Sequence, residues 1–232
     1  MIMLRPSKER GNTENYWLDS RHTFSFGNYY DPEHMGFRSL RVINEDRVRP
    51  ATGFGTHSHR DMEILTYVID GALEHEDSLG NHFVIHPGEL QRMTAGTGIS
   101  HSEKNPSQLE EVHFFQIWIL PEVKGLRPSY QQRHFKIKEE ANALHLVASK
   151  DSQNGALTVH QDLDLYLAHL GPNRQVTHRI KANRHAWLQV TRGKIVLNEI
   201  PMDEGDGAAI SQEGVLEVTA RSEAEVLVVD LA

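Results

Sequence analysis

The chain has 232 residues, 38% hydrophobic and 24% charged, with 15 histidines, no cysteine and a formal net charge of −8. Such a chain is long enough for one large domain or two small ones, each burying a core. A disulfide framework and a thiol nucleophile are excluded, and the acidic balance argues against nonspecific nucleic-acid binding, which needs a basic face.

The first ten residues carry Arg5, Lys8, Glu9 and Arg10. They lack the apolar stretch of a signal peptide, and no later run approaches the ~20 apolar residues of a membrane span. A cytoplasmic protein with no membrane partner is expected. Residues 1–50 read as short aromatic-rich segments broken by turns: Phe24 and Phe26 alternate as in a strand, Asp31-Pro32 marks a turn, and Leu40 to Asn44 reads as a strand. His22 and His34 have no partner at ligand spacing and read as surface or hydrogen-bonded residues.

Residues 54–120 alternate strands with tight turns. Glu63 to Ile69 is β-branched and apolar and ends at Asp70-Gly71; Ala72 to Asp77 returns as a hairpin arm; Glu111 to Leu120 is a strong strand stopped by Pro121. Short strands at 8–12-residue spacing with glycine turns predict an all-β sandwich or barrel. From Pro121 to about Asn142 the pattern loosens into a connector, with a short helix expected over Ile137 to Leu144. Residues 143–232 resume the strand rhythm and read as a repeat of the first barrel. This second half has no His-x-His, and His178 and His185, seven apart, would face opposite ways on one strand, so no second metal site is expected.

Two stretches carry chemistry. His57 and His59 stand two residues apart on an expected strand, so both imidazoles share one face. In GTGISHSEKN, Gly96 to Asn105, His101 and Glu103 repeat that spacing, about 40 residues on and after a Pro87-Gly88 turn. Side by side, the two strands would offer three imidazoles and a carboxylate to one point. Imidazole suits Fe, Ni, Cu and Zn, and a carboxylate adds charge that favours a harder divalent ion. Such a set leaves positions open for substrate and O2, unlike a closed structural zinc site. Glu63 and Asp61 lie on the same face by alternation, so period 2 alone leaves open which carboxylate ligates. His75, His82 and His86 fall near turns or on the return strand and read as bystanders. Phe24, Phe26, Phe54 and Trp118 either touch an aromatic substrate or fill the core.

The first stretch resembles the first cupin motif, His57-x-His59 followed by Glu63 and Gly71. The second resembles the second motif, with His101 and Asn105 in His-x-x-x-Asn spacing. The departures, Ala51 and Thr94 where glycine and proline are expected and two extra residues between Gly96 and His101, are those of one branch, the pirins. The run TFSFGNYYDPEHMGFRSLRVINEDRV, Thr23 to Val48, is also similar to pirins, closest to the bacterial pirin-like quercetin 2,3-dioxygenases. The resemblance implies a bicupin, two tandem jelly-roll-type β-barrels with few short helices: residues 1–135 with the metal, residues 136–232 without ligands. It implies the ligands His57, His59, His101 and Glu103, with Glu103 also the catalytic base. Glu63 and Asp61 then fall outside the ligand set, where they would orient an imidazole. The implied cofactor is one divalent transition metal, Fe(II) first, with Mn, Co, Ni, Cu and Zn as alternatives; the implied substrates are a flavonol and O2. A second implied class is an iron-dependent, redox-sensing regulator acting through a protein partner, with no direct nucleic-acid contact; a third is a cupin enzyme on another small molecule.

Overall fold

A computed structural model describes all 232 residues. It contains twenty-two strands and two single-turn 3-10 segments, Ser7–Glu9 and Gln153–Gly155. The strands up to the middle of the chain are β1 (Ile2–Arg5), β2 (Gly11–Glu14), β3 (Leu18–His22), β4 (Leu40–Val48), β5 (Gly53–His59), β6 (Glu63–Asp70), β7 (Leu73–Asp77), β8 (His82–Ile85), β9 (Glu89–Thr94), β10 (Ile99–Lys104), β11 (Val112–Ile119) and β12 (Ser129–His134). They are followed by β13 (His145–Ser149), β14 (Leu157–Thr158), β15 (Leu163–Leu170), β16 (Gln175–Arg179), β17 (His185–Arg192), β18 (Ile195–Leu197), β19 (Ile200–Met202), β20 (Gly207–Ser211), β21 (Val215–Ala220) and β22 (Ala224–Leu231). The chain is all-β, and no helix is long and apolar enough to cross a membrane.

Two compact units emerge. One comprises Gly11–His134 with Val159–Gln161; the other comprises Met1–Arg10, Phe135–Thr158 and Asp162–Ala232. The boundary is therefore not a single cut at residue 135. Met1–Arg10 belongs with the C-terminal strands because β1 pairs with the edge of β20, Ile2 opposite Ile210, which satisfies a row of backbone groups that would otherwise be open.

In the N-terminal unit a seven-stranded sheet, β12-β9-β6-β11-β4-β3-β2, accompanies a four-stranded sheet, β5-β10-β7-β8. An apolar cluster joins the sheets, with Leu18, Val48, Val68, Val112 and Phe114 from the larger and Leu73 and Ile85 from the smaller. The C-terminal unit repeats the plan, with orders β1-β20-β17-β22-β15-β13-β14 and β16-β21-β18-β19. Every strand from β15 to β22 contributes to an apolar cluster in this unit. On the strand pair that corresponds to β5 and β10, the buried side chains are Val176, Leu216, Val218 and Ala220.

Three local expectations are corrected. Phe24 and Phe26 lie in a turn-rich segment with only an isolated bridge, Phe26 to Tyr29. Residues 137–144 form turns rather than a helix. The connector contains β12, whose polar Ser-Tyr-Gln-Gln-Arg-His pattern hides a strand that pairs with β9 along its whole length.

Candidate metal centre

His57 and His59 come from β5, His101 and Glu103 from β10, and the strands are antiparallel with His101 opposite His57. Beyond that pair the register slips: Glu103 stands opposite Phe54, so Gly55 and Thr56 face Ser102 alone. Such a bulge bends its strand and re-aims side chains. The freed carbonyl of Gly55 accepts a hydrogen bond from His57 Nδ1 at 2.8 Å. That bond places the His57 proton on Nδ1 and leaves Nε2 with its lone pair.

The three imidazoles gather closely. Ring centroids lie 4.8 Å apart for His57–His59, 4.4 Å for His57–His101 and 4.9 Å for His59–His101. One donor atom from each lies within 4.8 Å of the other two, and His75, His101 and Glu103 meet the same limit, so His101 belongs to both sets. Burial, then the neighbouring His101 and His57, pushes His59 down to about 4. Burial, then His57 and His75, pushes His101 down to about 3. Both rings are therefore neutral near pH 7, the form that ligates a metal.

The donors fit a metal. His59 Nε2, His101 Nε2 and Glu103 Oε1 are buried and have no hydrogen-bond partner. Buried polar atoms are normally satisfied, and each orphan calls for an explanation. Three of them in one nitrogen-and-carboxylate cluster match the donor set of a first-row divalent ion. Glu103 Oε2 is held by Gln116 Nε2 at 2.8 Å, and Gln116 Oε1 accepts from Trp118 Nε1 at 3.1 Å.

His57, His59 and Glu103 open on a cavity of about 490 Å³, within the size range of small-molecule sites. Trp17, Phe26, Phe54 and Trp118 form its apolar walls, and His22, Asn44 and Asp46 form a polar side. Of the four aromatics singled out in the sequence, Phe24 alone does not line it; it is a core residue, 2% exposed. His22 is not at the surface. It is buried, with Nδ1 2.9 Å from Asn44 Oδ1 and Nε2 2.9 Å from Thr13 Oγ1.

The other two carboxylates lie elsewhere. Glu63 is fully buried, and its Oε2 meets Thr94 Oγ1 at 3.1 Å and the His160 backbone N and ring Nδ1 at 3.3 Å. Asp61 Oδ1 accepts from the Gly125 backbone N at 2.7 Å. Neither has one of the three imidazoles among these partners. The groups that hold the cluster are Gly55, Gln116 and His75, whose Nδ1 lies 3.4 Å from His101 Nδ1. His75 is thus no bystander. A signal for it was present: Leu73, His75 and Asp77 alternate inward along β7. Gln116 is the only polar side chain between Phe114 and Ile119 apart from the Trp118 indole, a buried amide in an apolar run.

The family model described as Pirin matches residues 3–119, and the one described as Quercetinase C-terminal cupin domain matches residues 146–231. The chain belongs to the pirin family. It is a bicupin, with two family domains in tandem on an all-β framework. It is 50% identical to the quercetin 2,3-dioxygenase of Escherichia coli strain K12 over 231 residues, 100% of this chain and 99% of that one. The crystal structure of YhhW from Escherichia coli superposes with a TM-score of 0.96 at 50% identity, covering 100% and 98% of the two chains. A second crystal structure, of the bacterial pirin YhhW with nickel(II), gives a TM-score of 0.95 at 50% identity and covers 100% and 99%. Together with the unsatisfied His/Glu donors, that complex points to a divalent metal in this chain.

Proposed function

We propose that the chain is a metal-dependent dioxygenase that opens the heterocycle of flavonols such as quercetin with O2 and releases CO, with His57, His59, His101 and Glu103 holding Fe(II). One observation carries the reading: three buried donor atoms without protein partners, two of them on residues that line an aromatic-walled cavity. The 50% identity to a named quercetin 2,3-dioxygenase supports the substrate class. The bound metal would lower the pKa of a substrate hydroxyl, as metals do for water.

The remaining work falls to the chain. Glu103 is the base: it would take the proton of the flavonol 3-hydroxyl, with Gln116 orienting the carboxylate through Oε2. The pinning matters because a freely rotating carboxylate would lose the alignment that proximity catalysis needs. Trp17, Phe26, Phe54 and Trp118 offer flat apolar surface to planar rings and keep water from the electron-rich flavonolate. The Phe26 and Trp118 rings, edge to face at 5.4 Å, brace one wall.

The test is aerobic quercetin consumption with CO detection, on protein reconstituted separately with Fe(II), Mn(II), Co(II), Ni(II) or Cu(II). Metal-dependent CO release that disappears in His101→Ala is the expected result. Tight metal binding with no CO from any metal overturns the flavonol assignment.

A further inference from the structure

His75 is fully buried, 0% exposed, and both of its ring nitrogens are engaged. Nδ1 faces His101 Nδ1 at 3.4 Å, and Nε2 faces Asp77 Oδ2 at 3.1 Å. Asp77 closes the line. Its carboxylate also accepts from the Leu79 backbone N at 2.9 Å and from Asn81, whose backbone N lies at 3.2 Å and Nδ2 at 2.9 Å. The Tyr130 ring packs 4.9 Å from His75, and Phe83 stacks on Tyr130 at 5.2 Å.

These contacts have one consistent direction. A carboxylate ringed by donors accepts and does not donate. Asp77 therefore takes the proton of His75 Nε2–H. With its Nε2–H given to Asp77, His75 presents Nδ1 as an acceptor, and His101 supplies the proton from its own Nδ1. The lone pair of His101 then sits on Nε2, the nitrogen that is buried without a partner. A core histidine kept only for its volume would not need both nitrogens satisfied in this order.

We infer that Asp77 and His75 form a relay that fixes the tautomer and orientation of His101 for metal binding, with His75 a positioning residue rather than a ligand. The inference deepens the metal reading above and rests on it. Relays of this kind raise ligand basicity, and removing the outer partner typically weakens metal binding about 10–100-fold. Strand pairing places the three residues. β7 and β10 are antiparallel with His101 opposite Asp77 and Glu103 opposite His75, so His75 reaches His101 diagonally across the sheet.

The test measures Ni(II) affinity by calorimetry and the visible spectrum of the Co(II)-loaded protein, for the unsubstituted chain, His75→Leu and His75→Gln. His75→Leu cuts the relay and should weaken Ni(II) binding about 10–100-fold. His75→Gln keeps it, since an amide oxygen can accept from His101 while the amide NH2 donates to Asp77. Its Ni(II) affinity and Co(II) bands should match those of the unsubstituted protein. Unchanged affinity in His75→Leu overturns the relay. Shifted Co(II) bands in His75→Gln also overturn it, because they mark His75 as a ligand, and they decide the matter even if His75→Leu fails to fold. An unsubstituted protein that binds neither metal removes the metal reading itself, a result distinct from failure of the relay alone.

Discussion

Gln116 shows how much of the site rests on residues that never touch the substrate. The residue is 8% exposed, and its amide bridges Trp118 to Glu103. Replacing it with leucine would leave Glu103 Oε2 and Trp118 Nε1 without these partners in a buried setting, and unsatisfied groups of this kind cost about 1–3 kcal/mol each. Gln116→Leu is therefore expected to lower the denaturant midpoint of metal-free protein by a cost of that order and to reduce turnover. Wild-type stability with wild-type turnover would mean that Glu103 needs no anchor. At this scale the proposed ligands stood out in the sequence because both pairs recur at spacing two inside glycine-rich frames. Alternation could not separate Glu63 from Glu103, since it reports the face of a strand and not which sheet the strand joins. Glu63 begins β6 in the seven-stranded sheet, while all four proposed ligands lie in the four-stranded one. That separation, more than any feature of the carboxylate, sends Glu63 to Thr94 and His160.

The strand pair β5–β10 is the element on which the site depends, and its spacing has little slack. A methyl group on Gly53 would meet the Lys104 Cα at 2.5 Å and the Glu103 carbonyl oxygen closer still. Both are backbone atoms and cannot rotate away. Gly53→Ala should push the two strands apart beside the bulge, costing about 1–3 kcal/mol as overpacking does, and should weaken metal binding through misaligned ligands. Full Ni(II) affinity in that variant would show that the strands can separate here without disturbing the cluster. Strands that alternate apolar and polar residues, or run apolar throughout, were readable: Val112–Ile119 and Glu63–Asp70 lie within or close to the expected bounds. Gly11–Glu14 and Ser129–His134 were not, because they are edge or near-edge strands built of polar residues. Pairing with a neighbour, not their own pattern, makes them strands. The bulge was equally silent, since its cause is a mismatch in count between two distant segments.

For the molecule as a whole, the C-terminal unit carries a charge arrangement with a measurable pH signature. Asp164 and Asp230 stand opposite each other on β15 and β22. Burial raises Asp230, but hydrogen bonds from His178 and Arg184 outweigh it and hold the carboxyl below 3.8. Burial, with Asp230 alongside, raises Asp164 above 3.8 despite Arg184 and Lys181. A lowered carboxyl stabilises the fold above its unfolded-state value, and that contribution fades as pH falls through the folded value. A raised carboxyl does the opposite: ionising it costs stability once pH passes its folded value. Asp164→Asn should therefore raise the melting temperature at pH 7 and leave it nearly unchanged at about pH 3, where both forms of the residue are neutral. An equal gain at both pH values would trace the effect to packing instead.

The pairing of β1 with β20 also sets an order of events during synthesis. Ile2 is made about two hundred residues before its partner Ile210. At about 5–20 residues per second on the ribosome, the opening strand would wait roughly 10–40 s for the edge it completes. Through that interval Met3 and Leu4 have no sheet to join. Glu63 waits in the same way for His160. Neither half of this pirin can finish alone while it is being translated: each holds a place for a segment encoded in the other.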